Sequence, residues 1–105
     1  MEAGSTVPLA CVPGAIPPEE RAAHFALAAD LFGTVEERRT ALEGYAFRFA
    51  PGQLERIARF VANERRCCPF LEFTITIGPG DGPVWLQLTG PQGTREFLDA
   101  ELPAR

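Results

Sequence analysis

A chain of 105 residues, 46% of them hydrophobic and eight of them phenylalanine, is long enough to close one core and too short for two full domains. Its ten basic residues, all arginine, stand against 14 acidic ones for a net charge of -4, which argues against a protein that grips a phosphate backbone. No apolar run approaches the ~20 residues that span a bilayer and Met1-Glu2-Ala3-Gly4 is no basic leader, so a soluble, cytoplasmic single domain over residues 1–105 is expected, with neither nucleic acid nor membrane as partner.

Residues 1–17 are rich in proline, glycine and small side chains. They predict a flexible start over roughly residues 1–6 and an extended piece from Val7 to Val12 that carries Cys11. Pro17-Pro18 followed by Glu19-Glu20 is a helix-start signature, because proline is tolerated in the first turn and carboxylates favour the positive end of the helix dipole. The helix should run to Leu31 or Phe32, with Ala22, Phe25, Ala26 and Ala29 as its apolar stripe and Gly33 as a left-handed stop. His24, the only histidine, falls one position off that stripe. It reads as a surface or boundary residue rather than a ligand, although imidazole is a natural fourth ligand for zinc.

Tyr45, Phe47 and Phe49 alternate with Ala46 and Arg48, the pattern of a half-buried strand. The preceding Val35 to Leu42 is heavily charged, and is either an edge strand turning at Glu43-Gly44 or helical in part. Pro51-Gly52 ends the strand, and Gln53 to Cys67 reads as a second helix with Leu54, Ile57, Ala58 and Val61 on one face. Phe70 to Ile77 alternates again, placing Leu71, Phe73, Ile75 and Ile77 together, and a Gly-Pro turn leads to Val84, Leu86 and Leu88, so the pair reads as a β-hairpin. Gly90-Pro91-Gln92-Gly93-Thr94 lacks the lysine and the glycine spacing of a phosphate loop. It reads as the cap of a short last helix carrying Phe97, Leu98 and Leu102, while Tyr45 and Trp85 read as packing residues. The expected fold is a two-layer α+β domain, a mainly antiparallel sheet of about four strands with two long helices and a short C-terminal one.

Chemistry concentrates in Asn63-Glu64-Arg65-Arg66-Cys67-Cys68-Pro69-Phe70. Continued at spacings of three and four, the apolar face of the second helix ends in Glu64, Cys67 and Cys68, and Pro69 disfavours helical geometry at Cys68. Three cysteines, two of them adjacent, make a poor disulfide framework; in a reducing compartment they serve as free thiols or metal ligands. Thiolates select copper(I), zinc and other thiophilic ions over magnesium or calcium, and adjacency disfavours a closed four-ligand zinc site. If Cys11 folds back onto the pair, a three-thiolate site results; the alternative for each cysteine is a small buried hydrophobe. The negative end of the helix dipole opposes thiolates here, whereas Arg65 and Arg66 favour them. Glu64 is either a buried carboxyl suited to carrying a proton or a half-exposed partner of an arginine.

These residues resemble a group of small bacterial proteins of unestablished function. That group carries an N-terminal cysteine, a first-helix arginine, and a glutamate separated by two residues from a cysteine pair with a phenylalanine close behind. Here those are Cys11, Arg21, Glu64, Cys67, Cys68 and Phe70, followed by a closing strand from Val84 to Thr89 and Gly90-Pro91. The similarity covers most of the chain. It implies a companion of heavy-metal resistance or of metal-responsive regulation, and it implies Cys11 as a third thiol of the site.

Three functional expectations follow. The leading one is a small protein that binds mercury, copper(I), zinc or arsenic(III) through Cys11, Cys67 and Cys68, with Glu64 as a neighbouring ligand or proton carrier. The second is a thiol-dependent enzyme that works by redox chemistry or by cleaving a carbon–metal bond. The third is an interaction module with structural cysteines, in a homodimer built through a sheet edge.

Overall fold

The computed structural model describes residues 9–12 and 14–102, so the expected flexible start and the first residues of the extended piece lie outside the described chain. Helix α1 (Pro18–Phe32) opens on proline with Glu19 and Glu20 in its first turn. Its buried side is not the expected alanine stripe. His24, Leu31 and Phe32 are buried and Leu27 and Ala28 half-buried, whereas Ala22, Ala26 and Ala29 are exposed and Phe25 is 61% exposed. The helix is apolar nearly all round, so period alone leaves its phase open. Leu27, Leu31 and Phe32 remove more area from water than alanines do, and they decide which way it turns. Gly33 is right-handed (φ -66°), not left-handed. The last carbonyls are satisfied another way, by the Gly33 N–H on Ala29 and the Thr34 hydroxyl on Leu31 at 2.6 Å.

The charged segment is a strand. β1 (Glu37–Ala41) pairs with β2 (Gly44–Phe49), and Glu43 in the turn takes a positive φ of 52°. A Cβ at Gly44 would stand 1.9 Å from the Leu88 carbonyl oxygen, so glycine is what lets β2 start hard against its neighbour. A single 3-10 turn at Pro51–Gln53 leads into α2 (Leu54–Cys67). Ile57 and Phe60 are its buried residues; the phenyl ring takes the inward place that periodicity gave to Ala58, which is exposed. β3 (Glu72–Ile77), β4 (Val84–Thr89) and α3 (Thr94–Glu101) complete the chain.

The four strands are antiparallel in the order β1-β2-β4-β3. Tyr45, Phe47 and Phe49 lie opposite Leu88, Leu86 and Val84 and share one buried cluster with Leu31, Phe32, Ile57 and Phe60. Phe32 is the hinge of that cluster, meeting Phe47, Phe49 and Phe60 edge to face at 5.1 to 5.9 Å. The two layers are therefore helices on one face of the sheet. β3 continues the same face, yet Ile75 and Ile77 are 37% and 57% exposed, because this edge strand reaches past the residues that cover the middle of the sheet. Among the described residues no helix is long and apolar enough to cross a membrane.

Candidate metal centre

Helix α2 ends where its sequence says it must. Cys67 is its last helical residue, and Cys68 leaves it in a non-helical conformation (φ -122°, ψ 78°) while its N–H still closes the last turn on the Glu64 carbonyl at 2.8 Å. The chain then turns back, with the Leu71 N–H on the Cys68 carbonyl, and Phe70 packs edge-on against Phe97 of α3 at 4.8 Å. The cysteine pair is thus held from both sides, by the helix before it and by an aromatic anchor after it.

Cys11 reaches this place from the other end of the sequence. The Val12 N–H donates to the Cys67 carbonyl at 2.7 Å, which lays the N-terminal segment across the end of α2 and sets the Cys11 sulfur 3.2 Å from that of Cys68. All three sulfurs lie within 4.8 Å of one another, and all three cysteines are free thiols. Sulfurs about 2.3 Å from a shared ion stand roughly 4 Å apart, so the observed triangle closes on an ion of that size with sub-ångström movements. Cys68 is fully buried, and Cys11 and Cys67 are half-buried.

Behind Cys68 stands a chain of acid and imidazole. Glu64 Oε2 accepts from the Cys68 thiol at 3.4 Å, and its Oε1 is 2.8 Å from His24 Nε2. A carboxylate only accepts, so Cys68 gives its single proton to Glu64, Cys11 gives its own to Cys68, and His24 donates to Glu64 from the other side. Among the described residues His24 Nδ1 has no hydrogen-bond partner in its buried position, which fits the tautomer with the proton on Nε2. The imidazole is 2% exposed at its side chain and stacks on Phe60 at 5.7 Å.

His24 corrects the sequence reading in one respect: it is a buried residue, not a surface or boundary one, and its Nε2 is turned to Glu64. Glu64 pairs with this histidine and, among the described residues, with no arginine. One signal was present: His24 stands three, four and seven residues before Leu27, Ala28 and Leu31, the stripe that α1 actually buries.

The local field opposes thiolates. Burial pushes the Cys11 thiol up to about 11, and burial together with the nearby Glu64 carboxylate and the neighbouring thiols pushes Cys68 higher still. The arginines do not offset this. Arg66 turns away to the Ala15 carbonyl at 3.1 Å and to Glu20 at 3.6 Å, while Arg65 lies along a groove with Val61, Pro69 and Phe73. Such thiols are sluggish nucleophiles, but a soft ion displaces their protons directly. Arg21, the first-helix arginine, holds the Ile16 carbonyl at 3.1 Å and so fastens the N-terminal segment to α1.

The arrangement can therefore hold a soft ion on two or three sulfurs, pass displaced protons to Glu64, and close a Cys11–Cys68 disulfide under oxidation. The glycine-rich turn before α3 is the expected cap: Gly93 is left-handed (φ 98°), and its N–H is taken by Glu43. No family model, no curated protein and no solved structure matches this chain significantly.

Proposed function

We infer that this protein binds a soft metal or metalloid ion, of the class of mercury(II), copper(I), zinc or arsenic(III), through Cys11, Cys67 and Cys68. The observation that carries this reading is the convergence of three free sulfurs from two distant segments to within 4.8 Å. Packing alone is a weaker account, because Cys11 and Cys67 keep part of their surface open. A place beside heavy-metal resistance, suggested by the resemblance of the Glu64–Phe70 stretch, agrees with this chemistry. The Cys67→Ser, Cys68→Ser double variant should lose binding of mercury(II) or copper(I) in competition with a coloured chelator on reduced protein. Unchanged stoichiometry and affinity would sink the reading.

The hydrogen bonds from Cys68 and His24 to Glu64 favour a second reading, an enzyme that breaks a carbon–metal bond. The Cys68 proton would pass to Glu64 and then to the carbon; the carbon–metal bond breaks, the hydrocarbon leaves, and the metal stays on sulfur, with no change of oxidation state. Benzene release from a phenylmercury salt would then require Glu64. In this reading Glu64→Gln binds the compound and releases no benzene; absence of benzene from the unaltered protein leaves binding as the function.

A further inference from the structure

A hollow of about 320 Å³ opens onto two of the three thiols, a size within the usual range of small-molecule sites. Cys11 and Cys67 line it, together with the apolar Val12, Ile16 and Phe25 and the charged Arg21 and Glu101. Neither Cys68 nor Glu64 is among its described lining residues. Val12 and Phe25 are 41% and 61% exposed, so two large apolar side chains face solvent beside the sulfurs. Single exposed hydrophobes are ordinary, but a group of them around reactive ligands is a surface waiting for an apolar partner. The wall is also fastened in place. Val12 bonds to the Cys67 carbonyl, Arg21 to the Ile16 carbonyl and Arg66 to the Ala15 carbonyl, which ties Val12, Ala15 and Ile16 to the two long helices.

A bare ion has no use for such a space. Three thiolates saturate arsenic(III) by themselves: arsenous acid and three thiols give three arsenic–sulfur bonds and three waters. A monosubstituted arsenic(III) keeps its carbon and exchanges only two hydroxyls, so two arsenic–oxygen bonds break, two arsenic–sulfur bonds form, and the thiol protons leave as two waters with no electrons transferred. Bridging Cys11 and Cys67, such a species carries its organic group along the wall of the hollow.

We propose that the cargo of the thiol site is a soft metal or metalloid bearing one organic group, which occupies the hollow lined by Val12, Ile16 and Phe25. This rests on the reading of the cysteines as a soft-metal site, and it concerns what is held rather than whether a bond is cleaved. The test compares phenylarsine oxide with arsenite by calorimetric titration of the reduced full chain. The Val12→Ser, Phe25→Ser variant alters two exposed positions outside the buried core. It should weaken phenylarsine oxide about tenfold and leave arsenite within about twofold, matching the apolar contact removed. Leu42→Ser, at a site 87% exposed and outside the hollow's lining, should change neither. Equal losses for both arsenicals, or none for either, would overturn the hollow as an organic subsite while the thiol site stands. Failure of the unaltered protein to bind either one removes the thiol site itself.

Discussion

Two polar clusters sit against the same core, and they differ in how completely they are satisfied. At the α3 side, Tyr45 donates to Asp99 at 2.6 Å, Arg38 lies over the tyrosine ring at 4.6 Å, and Arg95 reaches the Ala41 and Gly44 carbonyls at 2.6 and 3.3 Å. The Tyr45 hydroxyl is paired with Asp99 and Arg95 with backbone carbonyls, and the cluster ties β2 to α3. At the end of α2, by contrast, three thiols cluster while only Cys68 bonds to the Glu64 carboxylate, Cys11 and Cys68 are pushed upward by burial, and His24 Nδ1 has no partner among the described residues. Polar capacity left over inside a fold is costly unless something else takes it up. The lesson is that the second cluster keeps capacity that a bound ion could take up, as the proposed function requires, while the first uses its groups within the fold.

The largest effect that tests this contrast is the pH dependence of ion binding. Each thiol sheds a proton when it takes a soft ion, and with Cys11 held up to about 11 and Cys68 higher, both are protonated at neutral pH. Affinity should therefore rise about tenfold per pH unit for each thiol engaged, a steep climb for two or three together. Competition against a chelator of known titration measures the slope. A flat profile would mean that the ion sits on groups other than these sulfurs, and the contrast between the clusters would dissolve.

A smaller effect concerns the fold without an ion. A thiol whose folded pKa lies above its ordinary value of 9.0 holds its proton more tightly in the folded than in the unfolded chain. The stability it contributes is whole below 9.0 and is lost as the pH rises through about 11. Urea midpoints should accordingly fall over that interval, and Cys11→Ser should flatten the decline. The same loss in the serine variant would assign it to another group.

Much of this was legible because the informative residues are large and local. Val84, Leu86 and Leu88 alternate with polar neighbours, and Tyr45, Phe47 and Phe49 do the same, so both inner strands were readable from a period of two, whereas their pairing with each other, far apart in sequence, was not. Pro69 placed the exit from α2 at Cys68 by sterics alone. What escaped was long-range or ambiguous in phase. The alanines of α1 repeat at helical spacing as well as Leu27, Ala28 and Leu31 do, and only packing on Phe60 and Glu64 selects the second set. His24 and Glu64 are 40 residues apart, and Cys11 and Cys68 are 57 apart, so no local pattern encodes either meeting. The odd third cysteine was visible as a candidate; its arrival depends on backbone bonds such as Val12 to Cys67, which side-chain patterns do not carry.

The smallest expected effect separates the clusters most cleanly. Tyr45→Phe removes one hydroxyl from the cluster at the α3 side and keeps the ring that packs on Phe47 at 6.0 Å. Asp99 is an exposed residue of α3, so after the change water can hydrate the carboxylate, and the loss should stay near the ~1 kcal/mol of an ordinary hydrogen bond. The hydroxyl belongs to neither the sulfur triangle nor the chain through Glu64, so ion affinity should remain within about twofold. A urea titration and a metal competition on the same sample read both quantities. Lower stability with unchanged affinity is the signature of a purely structural cluster; a parallel fall in affinity would show that β2 and α3 transmit their packing to the thiols, and that the two clusters are one.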